Sequence, residues 1–151
     1  MTQTHVTLRP AIPADLPGLL ALYAYLTPGD PPADPAAAKD AFDRLGAYPG
    51  SAIYLCLDED QPVAACTLIV VPNLTRGAAP FALIENVVTH GAWRRQGLGR
   101  RVLAAATQAA WQAGCYKVML LAGSTDPAVM AFYRGAGFAQ SKTGFQIRRP
   151  A

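Results

Sequence analysis

A chain of 151 residues that is 52% apolar has enough material for one substantial buried core, and a net charge of +3 is too small for a surface built on charge alone. No uninterrupted apolar stretch reaches the length of a bilayer span, and Met1-Thr2-Gln3-Thr4-His5 lacks the charged and apolar regions of a secretory leader, so the reading is cytoplasmic, with no membrane partner. Cys56, Cys66 and Cys115 include no Cys-x-x-Cys pair, which argues against a disulfide framework or a metal site and for reduced packing thiols.

In chain order, Val6-Thr7-Leu8-Arg9 reads as a first strand. Asp15 then stands as the cap of a helix carrying Leu16, Leu19, Leu20, Tyr23 and Leu26. Pro28-Gly29-Asp30-Pro31-Pro32 must be a loop, because closely spaced prolines neither donate hydrogen bonds nor permit helix. A second helix is expected near Pro35 to Leu45, then strands near Ala52 to Asp58 and Val63 to Val71 joined by the acidic turn Asp58-Glu59-Asp60-Gln61. The loop Pro72 to Gly77 leads into a strand rich in branched residues, Phe81 to Thr89, interrupted in its middle by Glu85 and Asn86. Apolar residues at helical spacing (Leu98, Val102, Ala106, Ala109, Ala110) predict a helix from Gly97 to Ala113, which Gly114 ends. Tyr116 to Leu121 is another strand. Asp126-Pro127 caps a helix that carries Ala131-Phe132-Tyr133 and closes at Gly135-Ala136-Gly137-Phe138, and a last strand is expected near Gly144 to Arg148. These elements make one α/β (α+β) domain over residues 1–151, with a mostly antiparallel central sheet and helices on both faces.

The segment Arg94-Arg95-Gln96-Gly97-Leu98-Gly99-Arg100 carries the most chemistry. It is a glycine-bearing turn between a strand and a helix. The first amides of a helix lack an intrahelical partner, the helix dipole adds partial positive charge, and glycine admits a bulky phosphate to the main chain. A pyrophosphate ligand is the expectation. No Gly-Lys-Ser/Thr phosphate loop occurs in the chain, and the dinucleotide fingerprint fails because Val102 stands where its third small residue belongs. The remaining pattern, Arg-x-x-Gly-x-Gly at Arg94, Gly97 and Gly99, resembles the acetyl-CoA pyrophosphate loop of the GNAT superfamily of N-acetyltransferases. The order strand, glycine turn, helix, strand, helix and Phe-Tyr-x-x-x-Gly-Phe, over roughly Leu83 to Phe138, is similar to the C-terminal half of those enzymes. Locally, Ile84-Glu85-Asn86-Val87-Val88, Gly114-Cys115-Tyr116-Lys117-Val118 and Ala131-Phe132-Tyr133 look similar to segments of glucosamine-6-phosphate N-acetyltransferases. Those usually carry Asp at the place of Asn86 and an Asp-Cys pair where Leu121-Ala122 stands here.

The resemblance implies acetyl transfer from acetyl-CoA to a primary amine of a small molecule by direct attack in a ternary complex, without a metal. Glu85 is then the candidate base, since an otherwise apolar run would desolvate it and favour proton acceptance, directly or through water; its alternative is pairing with an arginine or a backbone group. A bulge in this strand, with the main-chain N–H of Val87 or Val88, would meet the developing negative oxygen. Asn86, Val87, Val88 and Thr89 would line the cofactor arm as an added strand does, while Arg94, Arg95, Gln96, Gly97, Leu98, Gly99 and Arg100 hold its diphosphate. Tyr133 occupies the tyrosine of the motif that protonates the leaving thiolate, with a packing aromatic as the alternative. Asp126 stands in place of the family's asparagine on the cofactor arm.

Tyr23 and Tyr25, before the proline loop, are substrate-side candidates, although Tyr23 also falls on the apolar stripe. His90 reads as a solvated turn residue, with contact to substrate or phosphate as the alternative. Trp93 reads as an anchor of the turn, and Trp111 as packing. Six of the thirteen basic residues form two clusters, Arg94, Arg95, Arg100, Arg101 and Arg148, Arg149, so no broad basic face for nucleic acid is expected. A homodimer is the expected assembly. A non-catalytic acyl-CoA sensor of the same fold, or acetylation of a protein amine, stands as the alternative activity.

Overall fold

The computed structural model describes residues 5–151; Met1 to Thr4, part of the stretch read for a leader, lie outside the described residues. The chain forms two compact units, one through Leu120 and one from Leu121 to Ala151.

The first unit is built on a five-stranded sheet whose strands lie side by side in sequence order: β1 (Val6–Pro10), β2 (Ala52–Asp58), β3 (Gln61–Val71), β4 (Phe81–Thr89) and β5 (Val118–Met119). Pairing is antiparallel from β1 to β4 and parallel between β4 and β5. The hairpin between β2 and β3 closes at Asp58 and Gln61, where the acidic turn was expected, with Glu59 in the left-handed region at φ 53°.

Both faces of the sheet are covered, which is why β2 and β3 read as nearly continuous apolar runs rather than as an alternation. On one face, Ile53, Leu55, Leu57, Ala65 and Val88 pack with Leu19 and Leu22 of α1 (Leu16–Tyr23). On the other, the thiols of Cys56 and Cys66 donate to the carbonyls of Leu98 and Val102 in α4 (Leu98–Gln112), at 3.8 and 3.4 Å. Each fully buried leucine contributes about 1.5–3 kcal/mol relative to exposure. The helical spacing missed Leu22 and Leu103, both nearly inaccessible. Trp111, expected to pack, is 49% exposed.

Asp15 does not cap α1 with its side chain. Its carboxylate turns back to accept the Ile12 N–H at 2.7 Å and pairs with both terminal nitrogens of Arg9, so it ties the helix start to β1. The Arg9 hydrogen bond holds the Asp15 carboxyl below the ordinary carboxylate range, against the opposing effect of burial. Helix α2 (Pro35–Gly46) is capped by Asp34, which accepts from the amides of Ala36 and Ala37. The expected loop from Pro72 to Gly77 contains the start of a single turn, α3 (Thr75–Ala78), with Arg76 and Gly77 left-handed. Helix α4 ends as expected at left-handed Gly114, with the Cys115 N–H reaching back to the Ala110 carbonyl. The strand expected from Tyr116 to Leu121 is confined to Val118 and Met119. Among the described residues, no helix is long and apolar enough to cross a membrane.

In the second unit, α5 (Pro127–Gly135) begins at Asp126, whose side chain accepts the Ala128 N–H at 2.8 Å. It closes with the Phe138 N–H on the Tyr133 carbonyl. The strand expected near Gly144 to Arg148 does not form, and Phe145 and Ile147 are 89% and 98% exposed. Alternating apolar residues make a strand only where a neighbour takes up their backbone groups, and the described residues of this unit supply none.

Candidate active site

Strand β4 changes character at Asn86. Glu85 stands opposite Thr67 and Val88 opposite Ala65, so Asn86 and Val87 together face the single residue Cys66. This is the expected bulge. Asn86 takes φ 52°, a left-handed conformation that asparagine tolerates far better than the branched residues around it. On its other side, β4 pairs with β5 only through Ala82 and Leu83, so beyond Leu83 this edge has no partner strand among the described residues. An extended chain has room to add there.

The bulge also sets which side chains share a face. Directly opposed residues of an antiparallel pair project the same way, so Glu85 lies with Thr67, and Val88 with Ala65, on the face covered by α1. His90 continues this face, its N–H on the Val63 carbonyl at 2.9 Å. The burial expected of Glu85 is absent: Thr67 is 7% exposed, yet Glu85 across from it is open to solvent. Val88 belongs to the apolar cluster with Leu19 and Leu22 of α1, and Glu85 does not.

Two tyrosines come down from α1 and the turn after it. Tyr23 is half-buried, and its hydroxyl is hydrogen-bonded to Thr67; burial raises its pKa. Tyr25 is 42% exposed, and its hydroxyl lies 3.1 Å from His90 Nε2, with ring centroids 4.6 Å apart. His90 is therefore more than the solvated turn residue expected, since its Nδ1 also accepts the Ala92 N–H at 3.1 Å and caps the short turn Gly91–Trp93. Tyr25 and His90 are 65 positions apart, and no local signal pairs them.

After that turn, Arg94 is extended, Arg95 is left-handed at φ 63°, and Gly97 is left-handed at φ 78°. No side chain caps Gly97, and the first amide of α4 with a helical partner belongs to Arg101, on the Gly97 carbonyl. The amides of Leu98, Gly99 and Arg100 consequently have no partner among the described residues. Left-handed residues beside a helix start turn successive N–H groups into one concavity, the form taken by phosphate sites. Arg94, Arg95, Gln96 and Arg100 are exposed around it, whereas the Leu98 side chain is buried, which leaves only its amide for a ligand. Arg101 is committed elsewhere, to the Val6 carbonyl at 3.2 Å.

In the second unit, Tyr133 is half-buried on α5, edge-on to Phe132 and Phe138 at 5.0 and 6.3 Å between ring centroids. Asp126 serves there as the helix cap. The three cysteines are unpaired and buried, and desolvation pushes Cys66 up to about 12. Among the described residues no group of three or more His, Cys, Asp or Glu side chains gathers to hold a metal ion.

Comparison with known proteins identifies the family and the fold. Residues 19–138 match the Acetyltransferase (GNAT) family. Glucosamine 6-phosphate N-acetyltransferase 1 of Oryza sativa subsp. japonica is 30% identical over 137 residues, spanning 88% of this chain and 81% of the relative. The structure of a putative acetyltransferase from Agrobacterium tumefaciens str. C58 is 53% identical, with a TM-score of 0.88 over 95% of this chain and 99% of the other. A transcriptional regulator from Bacillus halodurans C-125 is 26% identical, with a TM-score of 0.86 over 96% of this chain and 100% of the other.

Proposed function

This chain belongs to the GNAT family of acetyltransferases, and on that premise we propose that residues 1–151 act as one domain transferring acetyl from acetyl-CoA to a primary amine of a small molecule. The observation that carries the proposal is the set of unpartnered amides at Leu98, Gly99 and Arg100, beside a bulged strand whose far edge is open. A diphosphate fits the first feature, because dipole, amides and arginines all favour an anion there. The extended arm of the cofactor fits the second along Asn86, Val87, Val88 and Thr89.

The chemistry asked of the residues is modest. The amine nitrogen attacks the thioester carbonyl and must lose a proton, which Glu85 accepts directly or through a water. Solvent exposure of Glu85 supports the route through water. The N–H groups of Val87 and Val88 are the candidate donors to the carbonyl oxygen as it gains charge. The carbon–sulfur bond then breaks, and Tyr133 gives the departing sulfur its proton. Tyr23 and Tyr25 are read as lining the acceptor, and a cytoplasmic homodimer as the working form.

The test is purified protein with acetyl-CoA, a thiol reagent and a panel of amines: glucosamine 6-phosphate, glucosamine, sisomicin and cyclohexylamine. Amine-dependent thiol release is expected. Tight acetyl-CoA binding with no release from any amine would instead mark a sensor.

A further inference from the structure

The pair formed by Tyr25 and His90 has a direction built into it. His90 Nδ1 accepts the Ala92 N–H, so the neutral imidazole carries its proton on Nε2 and donates it to the Tyr25 hydroxyl oxygen, 3.1 Å away. The phenolic proton is thereby left to point elsewhere. The ring is placed as well as the hydroxyl: it sits at a tilt on the imidazole, and its Cε1 lies 3.0 Å from where a Cβ at Gly91 would stand, so a side chain there would have to shift the ring by a few tenths of an ångström. A tyrosine fixed in this way, with 42% of its surface still open, is an aimed hydrogen-bond donor rather than a packing residue. It also stands on the α1 side of the sheet, the side on which Glu85 lies open.

We propose that the Tyr25 hydroxyl, oriented by His90, donates to an oxygen atom of the amine acceptor, so that the site selects amines bearing a hydroxyl or phosphate oxygen over plain alkylamines. His90 acts here as a positioning residue and does not touch the acceptor. The proposal rests on the acetyltransferase reading above and adds to it the class of amine.

Two variants separate this role from a structural one. Tyr25→Phe keeps the ring on Gly91 and removes only the hydroxyl. His90→Asn keeps a side chain able to cap the Ala92 N–H, as asparagine does at such positions, but withdraws the imidazole from Tyr25. With glucosamine 6-phosphate, glucosamine and sisomicin as probes, Tyr25→Phe is expected to raise KM for the oxygenated amine roughly five- to tenfold, the scale of one hydrogen bond, with kcat and the KM for acetyl-CoA unchanged. His90→Asn is expected to raise it by a smaller factor. With cyclohexylamine, which offers no oxygen to the hydroxyl, both variants should raise KM by a smaller factor than with the oxygenated amines. Equal effects on oxygenated and plain amines, or no effect on either, would overturn the proposal while leaving the acetyltransferase reading intact. Failure of the parent protein to acetylate any of these amines would overturn both.

Discussion

The two halves of β4 are built differently. From Phe81 to Ile84 the strand is structural: Ala82 and Leu83 are paired on both sides, and Ala82 and Ile84 are nearly inaccessible. From Glu85 onward β3 alone pairs with it among the described residues, the bulge interrupts the ladder, and two successive residues are exposed. The same strand thus anchors at one end and, on the proposed reading, offers backbone and side chains to ligands at the other. The proposed site lies where regular pairing gives out, beside the regularly paired part of the strand.

Mutations on either side of the boundary should therefore separate stability from activity. The largest effect is expected from Glu85→Gln, which removes the proposed proton acceptor and leaves the exposed position filled: kcat should fall about 10²- to 10⁴-fold with melting temperature and acetyl-CoA affinity unchanged. Unchanged turnover would remove Glu85 from the mechanism. On the anchored side, Ile84→Ala should lower unfolding free energy by about 2–5 kcal/mol in urea titration, by truncating a side chain that is 2% exposed. Its kcat, measured well below the melting transition, should stay near the parent value.

At the boundary itself, Asn86→Val forces a branched residue into the left-handed region and should cost about 1–2 kcal/mol, whereas Asn86→Gly should be neutral or slightly stabilising in the same titration. A tolerated valine would mean that the bulge relaxes freely. The smallest effect concerns the tether that joins the start of α1 to β1. Asp15 has a lowered folded-state pKa, so its contribution is fully present above the ordinary carboxylate range and is lost as pH falls through the folded value. Asp15→Asn should be less stable than the parent at pH 7, and the gap should close as the pH drops below about 4.

Much of β4 and α4 was legible because their signals are local. Branched residues delimit Phe81 to Thr89, Glu85 and Asn86 mark the interruption, and Gly97 and Gly99 announce the helix start. What escaped depends on the neighbours a residue acquires. Exposure of Glu85 depends on what packs above it in the fold, which no property of β4 encodes. Arg95 is left-handed without being glycine, so its part in shaping the turn has no compositional mark. Leu22 and Leu103 are buried by tertiary packing that widens a helix's covered stripe beyond its simplest spacing. The pairing of Tyr25 with His90 is a product of the fold alone.

A protein that handles thioesters runs the risk of exchanging acyl groups with its own sulfur atoms. Cys66 lies in β3 directly across from the bulge, so it is the sulfur placed nearest in register to the proposed chemistry. Burial pushes its thiol up to about 12, which disfavours the nucleophilic anion, and the sulfur's proton is engaged with the Val102 carbonyl. The packing of α4 on the sheet thus also favours the protonated, less reactive form of this thiol.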